Sequence, residues 1–424
     1  MSAHRSKHNS PSSIRRQSEP ERTDVSQGTQ SRFEYEPAVL RFGTGTVERL
    51  ADELAEQGLE RALVVCGSTV GNTTEVIDPL IEGLGERLAG IFPETTSDKR
   101  LETAVRGLEV MRKHDADVLV GLGGGSSLDV TKVISVLAAT DREPSEVGRE
   151  LAETGSVSVP SGSLTPIVAV PTTLAGADHS SVAGLTASPS SGLVDEQASG
   201  SISASQLMPR SIIYDPALVA TTPKPILAAS AMNGFNKGIE TLYARNATPV
   251  TDATASRGLR LLHDGLQQFG EHTVDEAVLE PIVEGILLTQ YGVSRPEETT
   301  LSIIHAFGHG LTRPYDVQQG AAHAIIAPQV LRYLFENGAA RREVLADAVG
   351  VAEGSNSATS IVEAVERVGD SLNLPTRLRD VSGPDPAQFS EVAQAVRNDP
   401  FMRNAPPGLD PTQDELETIL RRSY

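Results

Sequence analysis

The sequence predicts an α/β fold followed by an all-helical half. Three observations carry this reading. Short apolar runs alternate with amphipathic stretches from about residue 34 to 216, the pattern of a parallel, doubly wound sheet. A glycine turn, Gly123-Gly124-Gly125, joins one such run to the helical stretch after it. Beyond residue 217 the strand signals stop and helical periodicity takes over. The 424 residues suffice for two domains. They divide into a tail over 1–33, an α/β domain over 34–216 and an all-α domain over 217–424.

Residues 1–33 are rich in Ser, Arg, Gln, Glu and Pro, which predicts a disordered tail. A strand is expected at 39–42 and a helix over 46–57, where Val47, Leu50 and Leu54 share one face. A buried strand follows at 61–65, ending in Cys66, Gly67 and Ser68. Helices over 77–88 and 101–114 flank a strand at 90–92, and 118–120 is the next strand. The strand at 167–170 runs into PTTLAGADHSSVAGLT, a small-residue loop. The Ser- and Gly-rich stretch 187–206 predicts a hairpin tip, and 212–214 is the last strand. Helices are then expected over 226–244, 251–269, 276–293, 298–311, 320–336, 340–350, 358–371, 387–397 and 412–422.

The stretch 117–132, DVLVGLGGGSSLDVTK, organises the first half. Strand, glycine turn and helix place backbone N–H groups and a positive helix end around a phosphate. Glycine lets the backbone approach a ligand closely. A purely structural turn would look similar. On the phosphate reading Gly123, Gly124, Gly125 and Ser126 contact a cofactor, and Asp129 and Lys132 hold the turn and approach it. Thr172, Thr173 and Gly176 of the small-residue loop would be a second contact.

The formal charge of −20 argues against nucleic-acid binding, which needs a basic face. Only Lys7, Lys99, Lys113, Lys132, Lys224 and Lys237 are lysines. Excess acid with scarce lysine resembles the surface of a protein from a high-salt cytoplasm, where screening is short-ranged. No apolar run reaches membrane-spanning length, and the first residues lack the apolar core of a secretory signal. Cys66 is the single cysteine, so no disulfide forms within the chain. A cytoplasmic protein is expected.

Two stretches of the helical half stand out. In SAMNGFNKGIETLYA, Asn233, Lys237 and Glu240 recur at helical spacing and share one face. Lys237 lies among Met232, Phe235, Ile239 and Leu242, so it has either a charged role or a carboxylate partner such as Glu240. In HAFGHGLTRPYDVQQGAAHA, His305 and His309 are four apart, and His323 follows a loop with Gln318 and Gln319. That spacing suits either a metal pair or two buried, hydrogen-bonded imidazoles, and no third ligand is assured.

Taken together, these stretches resemble the iron-containing alcohol dehydrogenase family over roughly residues 35–424. GGGSSLDVTK is similar to its diphosphate loop and PTTLAGADHSS to its loop beneath the nicotinamide. SAMNGFNKGIETLYA resembles its first metal-ligand helix, and HAFGHGL with QGAAHAIIAP its histidine helix and the helix after it. LPTRL near the C-terminus fits too. IETLYA, LAGIFPE and the place of His323 are similar to the maleylacetate reductase branch. The resemblance implies a dehydroquinate synthase-like, iron-type alcohol dehydrogenase architecture. Its dinucleotide-binding domain and helical domain would enclose the active site between them.

The departures from the family matter. The four metal-ligand places hold Asn233, Lys237, His305 and Gln319, so only one ligand survives. Amides are weak ligands and an ammonium repels a dication, so neither iron nor zinc is expected. Gly67 stands where NAD-specific members carry an aspartate, which leaves both NAD and NADP open. The resemblance implies an NAD(P)-dependent oxidoreductase acting on a small alcohol or carbonyl compound. Lys237 would supply a fixed positive charge to a developing alkoxide, and His309 would relay the proton. His305, His323 and Asn233 would orient the substrate. The alternatives are a metal enzyme using His305, His309 and His323, and a catalytically inactive nucleotide-binding paralogue. No membrane or nucleic-acid partner is expected, and a homodimer is the candidate assembly.

Overall fold

The computed structural model describes residues 33–35, 38–270, 274–296, 298–338, 341–352, 354 and 356–424. The tail expected over 1–33 lies outside the described residues apart from Phe33. Among the described residues eight strands precede the helical half: β1 Val39–Phe42, β2 Ala62–Gly67, β3 Leu88–Thr95, β4 Val118–Gly123, β5 Ile167–Pro171, β6 Val182–Ala187, β7 Ala198–Ser203 and β8 Ser211–Tyr214. Six of them form one parallel sheet in the order β1-β8-β5-β4-β2-β3. The period-two alternation of β2 explains why both faces are covered. Leu63 and Val65 join one apolar cluster with the helices Leu101–Lys113 and Gly125–Ala138. Ala62, Val64 and Cys66 join a second cluster with the helix Thr74–Leu84.

The sheet order locates the ligand edge. From β2 the chain moves outward to β3 at one edge, whereas from β4 it moves the other way to β5. The two neighbouring strands β2 and β4 are therefore the switch point, and ligands in such sheets sit beyond the C-terminal ends there. Gly67 ends β2 and Gly123 ends β4.

The second half consists of helices, chiefly Lys224–Tyr243, Pro249–Phe269, Glu276–Gln290, Ile303–Thr312, Gln319–Glu336, Ser357–Ser371, Phe389–Arg397 and Gln413–Arg422, around one apolar core. Glycines set its closest approaches. A Cβ on Gly234 would lie 2.5 Å from the carbonyl oxygen of Leu174, and one on Gly320 would lie 2.1 Å from that of Ala229. Helix Lys224–Tyr243 thus rests directly on the loop after β5 and on helix Gln319–Glu336. Phe33–Tyr424 packs as one compact unit, so the change of architecture near residue 217 falls inside it.

Three local differences have physical causes. The helix expected over 298–311 begins only at Ile303, after a short antiparallel pair, Ser294–Arg295 with Glu298–Thr299. Pro296 disfavours the helical region for Arg295 before it. The stretch expected as a hairpin tip contains a full strand, β7, paired antiparallel with β6. Helix Pro144–Thr154 was not anticipated, although Pro144 at its first turn and the Glu143–Glu146 capping box mark its start. Among the described residues no helix is long and apolar enough to cross a membrane.

Candidate active site

The glycine turn is shaped by its neighbours. Gly123 has φ +130°, a conformation that L side chains rarely adopt. Gly124 is extended and stands at the N-cap of helix Gly125–Ala138, which no side chain caps. Thr172 donates its N–H to the carbonyl of Gly123 at 3.1 Å, and a Cβ on Gly124 would sit 3.1 Å from the Thr173 methyl. The two stretches read as cofactor contacts therefore meet at the C-terminal strand ends, with Gly124, Gly125, Ser126, Thr173 and Gly67 partly open to solvent.

Asp129 and Lys132 face inward from the same helix. Asp129 accepts from the ammonium of Lys99 at 2.6 Å and from the N–H of Gly184 at 3.2 Å. The ammonium of Lys132 donates to the carbonyls of Ala177, Ser180 and Val182 at 3.1, 2.6 and 3.2 Å. Both residues hold the polypeptide behind the turn, and in this arrangement no N–H of Lys132 is left for a cofactor.

Across from them stands helix Lys224–Tyr243. Asn233 Oδ1 lies 3.1 Å from His305 Nε2, and Glu240 Oε2 lies 2.5 Å from His305 Nδ1. Glu240 Oε1 accepts from the backbone N–H of His305 at 3.0 Å and from the hydroxyl of Tyr243 at 3.2 Å. Burial pushes Glu240 up to about 7 and holds His305 well below its usual value. The pair thus carries one proton between them, the arrangement that leaves least net charge in an apolar interior. Lys237 lies one turn from Glu240 but does not pair with it. Its ammonium donates to the carbonyls of Ala175 and Gly176 at 2.9 and 3.2 Å and to Gln290 Oε1 at 3.1 Å. Burial pushes it down to about 8. The carboxylate partner considered for Lys237 is therefore not found, and its three N–H groups are taken by neutral oxygens.

The histidines occupy distinct environments. His309 Nδ1 lies 2.8 Å from Asp399 Oδ2, and its ring packs on Phe401 at 4.9 Å between centroids. Arg313 also approaches Nδ1, at 3.1 Å. The arginine side chain is 67% exposed and that of Asp399 only 4%, so the buried carboxylate is the stronger partner. Asp399 then accepts from Nδ1–H and leaves Nε2 free for a ligand. His323 is fully buried, 4.4 Å from the ring of His305, and among the described residues neither ring nitrogen has a hydrogen-bond partner. Gln319 opens helix Gln319–Glu336 and is half-buried.

The donor set does not suit a dication. Asn233 and His305 bond to each other, and Lys237 brings a positive charge. Among the described residues no group of three or more His, Cys, Asp and Glu side chains is arranged to hold a metal, so His305, His309 and His323 do not form one. A cavity of about 440 Å³, lined by Tyr35, Gln57, Arg210 and Arg295 among others, lies at the opposite, N-terminal edge of the sheet and meets the small-residue loop at Ser181. Sequence reasoning missed Asp399, Phe401 and Gln290. Only Glu240 carried a signal, its helical spacing from Asn233.

The sheet order and the glycine turn at its switch point define a doubly wound α/β class, here joined to a helical half. Residues 37–216 match the model of the iron-containing alcohol dehydrogenases, and residues 227–424 match that of the C-terminal part of the same family. The chain belongs to the iron-containing alcohol dehydrogenase family. It is 26% identical to a maleylacetate reductase of Rhizobium sp. (strain MTP-10005) over 361 residues, 85% of this chain and 90% of that protein. It is 28% identical to a 1,3-propanediol dehydrogenase of Citrobacter freundii over 407 residues, 92% of this chain and 99% of that one. A sulfoacetaldehyde reductase of Bifidobacterium kashiwanohense, solved with NAD+, shares the fold. Its TM-score is 0.80 at 21% identity, covering 93% of this chain and 99% of the other. The protein is thus an NAD(P)-dependent oxidoreductase acting on hydroxyl or carbonyl groups of a small molecule.

Proposed function

We propose that the chain is a metal-independent carbonyl reductase or alcohol dehydrogenase of the maleylacetate reductase-like branch. One observation carries this reading. At the places that resemble the family's metal ligands, this chain has the hydrogen-bonded ammonium of Lys237 beside an amide–imidazole pair. NADH or NADPH, when bound, supplies the hydride. The glycine turn and helix start Gly124–Ser126 bind its diphosphate, and Thr172, Thr173 and Gly176 belong to the wall beside its nicotinamide. With no carboxylate at Gly67, neither NAD nor NADP is excluded.

His309 moves the proton. Asp399 accepts from Nδ1–H throughout, so Nε2 carries the moving proton: the imidazolium gives it to the carbonyl oxygen in reduction, and the neutral ring takes it from the alcohol in oxidation. Asn233 and His305 orient the polar end of the substrate. The protein works in the cytoplasm, and a homodimer is its assembly. The test is a panel of small ketones, keto acids, aldehydes and alcohols with each nucleotide, followed by nicotinamide absorbance. His309→Asn is expected to lower turnover by roughly 100-fold. Nucleotide binding without turnover of any substrate would point to an inactive paralogue and overturn the reading.

A further inference from the structure

Two of the six lysines in this chain are buried against one loop from opposite sides. Lys132 comes from helix Gly125–Ala138 of the sheet half and takes the carbonyls of Ala177, Ser180 and Val182. Lys237 comes from helix Lys224–Tyr243 of the helical half and takes those of Ala175 and Gly176. Five carbonyls within residues 175–182 thus converge on two ammonium groups. Buried ammonium groups are costly unless their donors are met, and here both are met by loop backbone. Asp178, in the middle of the loop, adds a favourable charge to both lysines.

The third acceptor of Lys237 closes the arrangement. Gln290 Oε1 accepts from the ammonium at 3.1 Å, and its side chain presses on Gly176. Gly176 has φ +72°, and a Cβ there would fall 2.1 Å from Gln290 Cδ. Lysine, glutamine and glycine therefore interlock at one point of the loop. Three residues upstream, Thr173 faces Gly124 of the phosphate turn. A shift of Ala175 or Gly176 would move the loop against that turn.

We infer that Lys237 is a positioning residue for the nicotinamide, fixing loop 175–182 through its backbone carbonyls rather than touching substrate oxygen. The inference rests on the reading of this loop as the nicotinamide wall. Its function is to hold the ring at the height that hydride transfer needs, a geometric contribution on which rate depends steeply.

Binding of two ligands to the full chain separates this role from the others. ADP-ribose carries the diphosphate but no nicotinamide, and NADH carries both. In Lys237→Met, NADH affinity is expected to fall about tenfold, the scale of one lost charged hydrogen bond, while ADP-ribose affinity stays at the wild-type value. Gln290→Leu, which leaves the lysine its two carbonyls, should show the same discrimination at a few-fold, and keeps the test available if Lys237→Met does not fold. Unchanged NADH affinity with reduced turnover would overturn the inference and return Lys237 to direct action on substrate. Equal loss of both ligands would overturn it in favour of a general structural role. Wild-type protein that binds neither ligand would remove the nucleotide reading itself.

Discussion

His179 is a buried imidazole with one side unmet. Its Nδ1 lies 2.8 Å from the hydroxyl of Tyr35, its ring stacks on Tyr214, and Nε2 has no partner among the described residues. Burial pushes its pKa from 6.5 down to about 4. The folded chain thus refuses a proton that the unfolded chain accepts below 6.5. Stability from this group is complete above 6.5 and is lost as pH falls toward 4, to a total of about 3 kcal/mol. Replacing the ring removes that loss. His179→Phe should destabilise less at about pH 4.5 than at about pH 7.5, by roughly 2–3 kcal/mol, in urea unfolding at both values. A pH-independent difference would contradict the argument. The Glu240–His305 pair adds no such slope between 4.5 and 6.5, because folded and unfolded chains each keep one proton on it there. At this scale the site was only partly legible in sequence. Asn233, Lys237, His305 and His309 announce themselves by helical spacing. Asp399 is 90 residues from His309 and Gln290 is 53 from Lys237, so only the tertiary fold brings them together.

Helix Lys224–Tyr243 is the element on which the site depends. It carries Asn233, Lys237 and Glu240, and it can rest on the loop after β5 only because residue 234 has no side chain. A Cβ there would meet Leu174 O at 2.5 Å and Ile286 Cδ1 at 2.3 Å. The methyl of Ile286 can turn aside, but a backbone carbonyl cannot. Gly234→Ala should cost roughly 1–3 kcal/mol in denaturant unfolding, the usual range for overpacking a dense core. It should also weaken NADH binding, because the helix lifts off the loop that Lys237 holds. Stability and affinity at wild-type values would show that the helix has room it does not need. Elements of this kind were largely legible. Strands in the sheet are continuous apolar runs bounded by glycine or polar residues, and the long helices have clear periodicity. Sheet order was not, because nothing local records that β8 inserts between β1 and β5. The start at Ile303 and strand β7 were missed because cross-strand pairing, of Glu298–Thr299 with Ser294–Arg295 and of β7 with β6, overrides local preference.

At the scale of the molecule, the two family matches span both halves, and the described chain from Phe33 to Tyr424 is one unit. Within that frame, on the reading proposed above, Asn233, Lys237, His305 and Gln319 stand at the places that resemble the family's metal ligands. The Lys237 ammonium is held there by the carbonyls of Ala175 and Gly176 and by Gln290. The most direct test is turnover of the purified enzyme before and after prolonged treatment with a strong chelator, with metal content measured on the same samples. The account predicts equal rates and no bound iron or zinc in proportion to protein. Activity abolished by chelation and restored by added iron or zinc would contradict it.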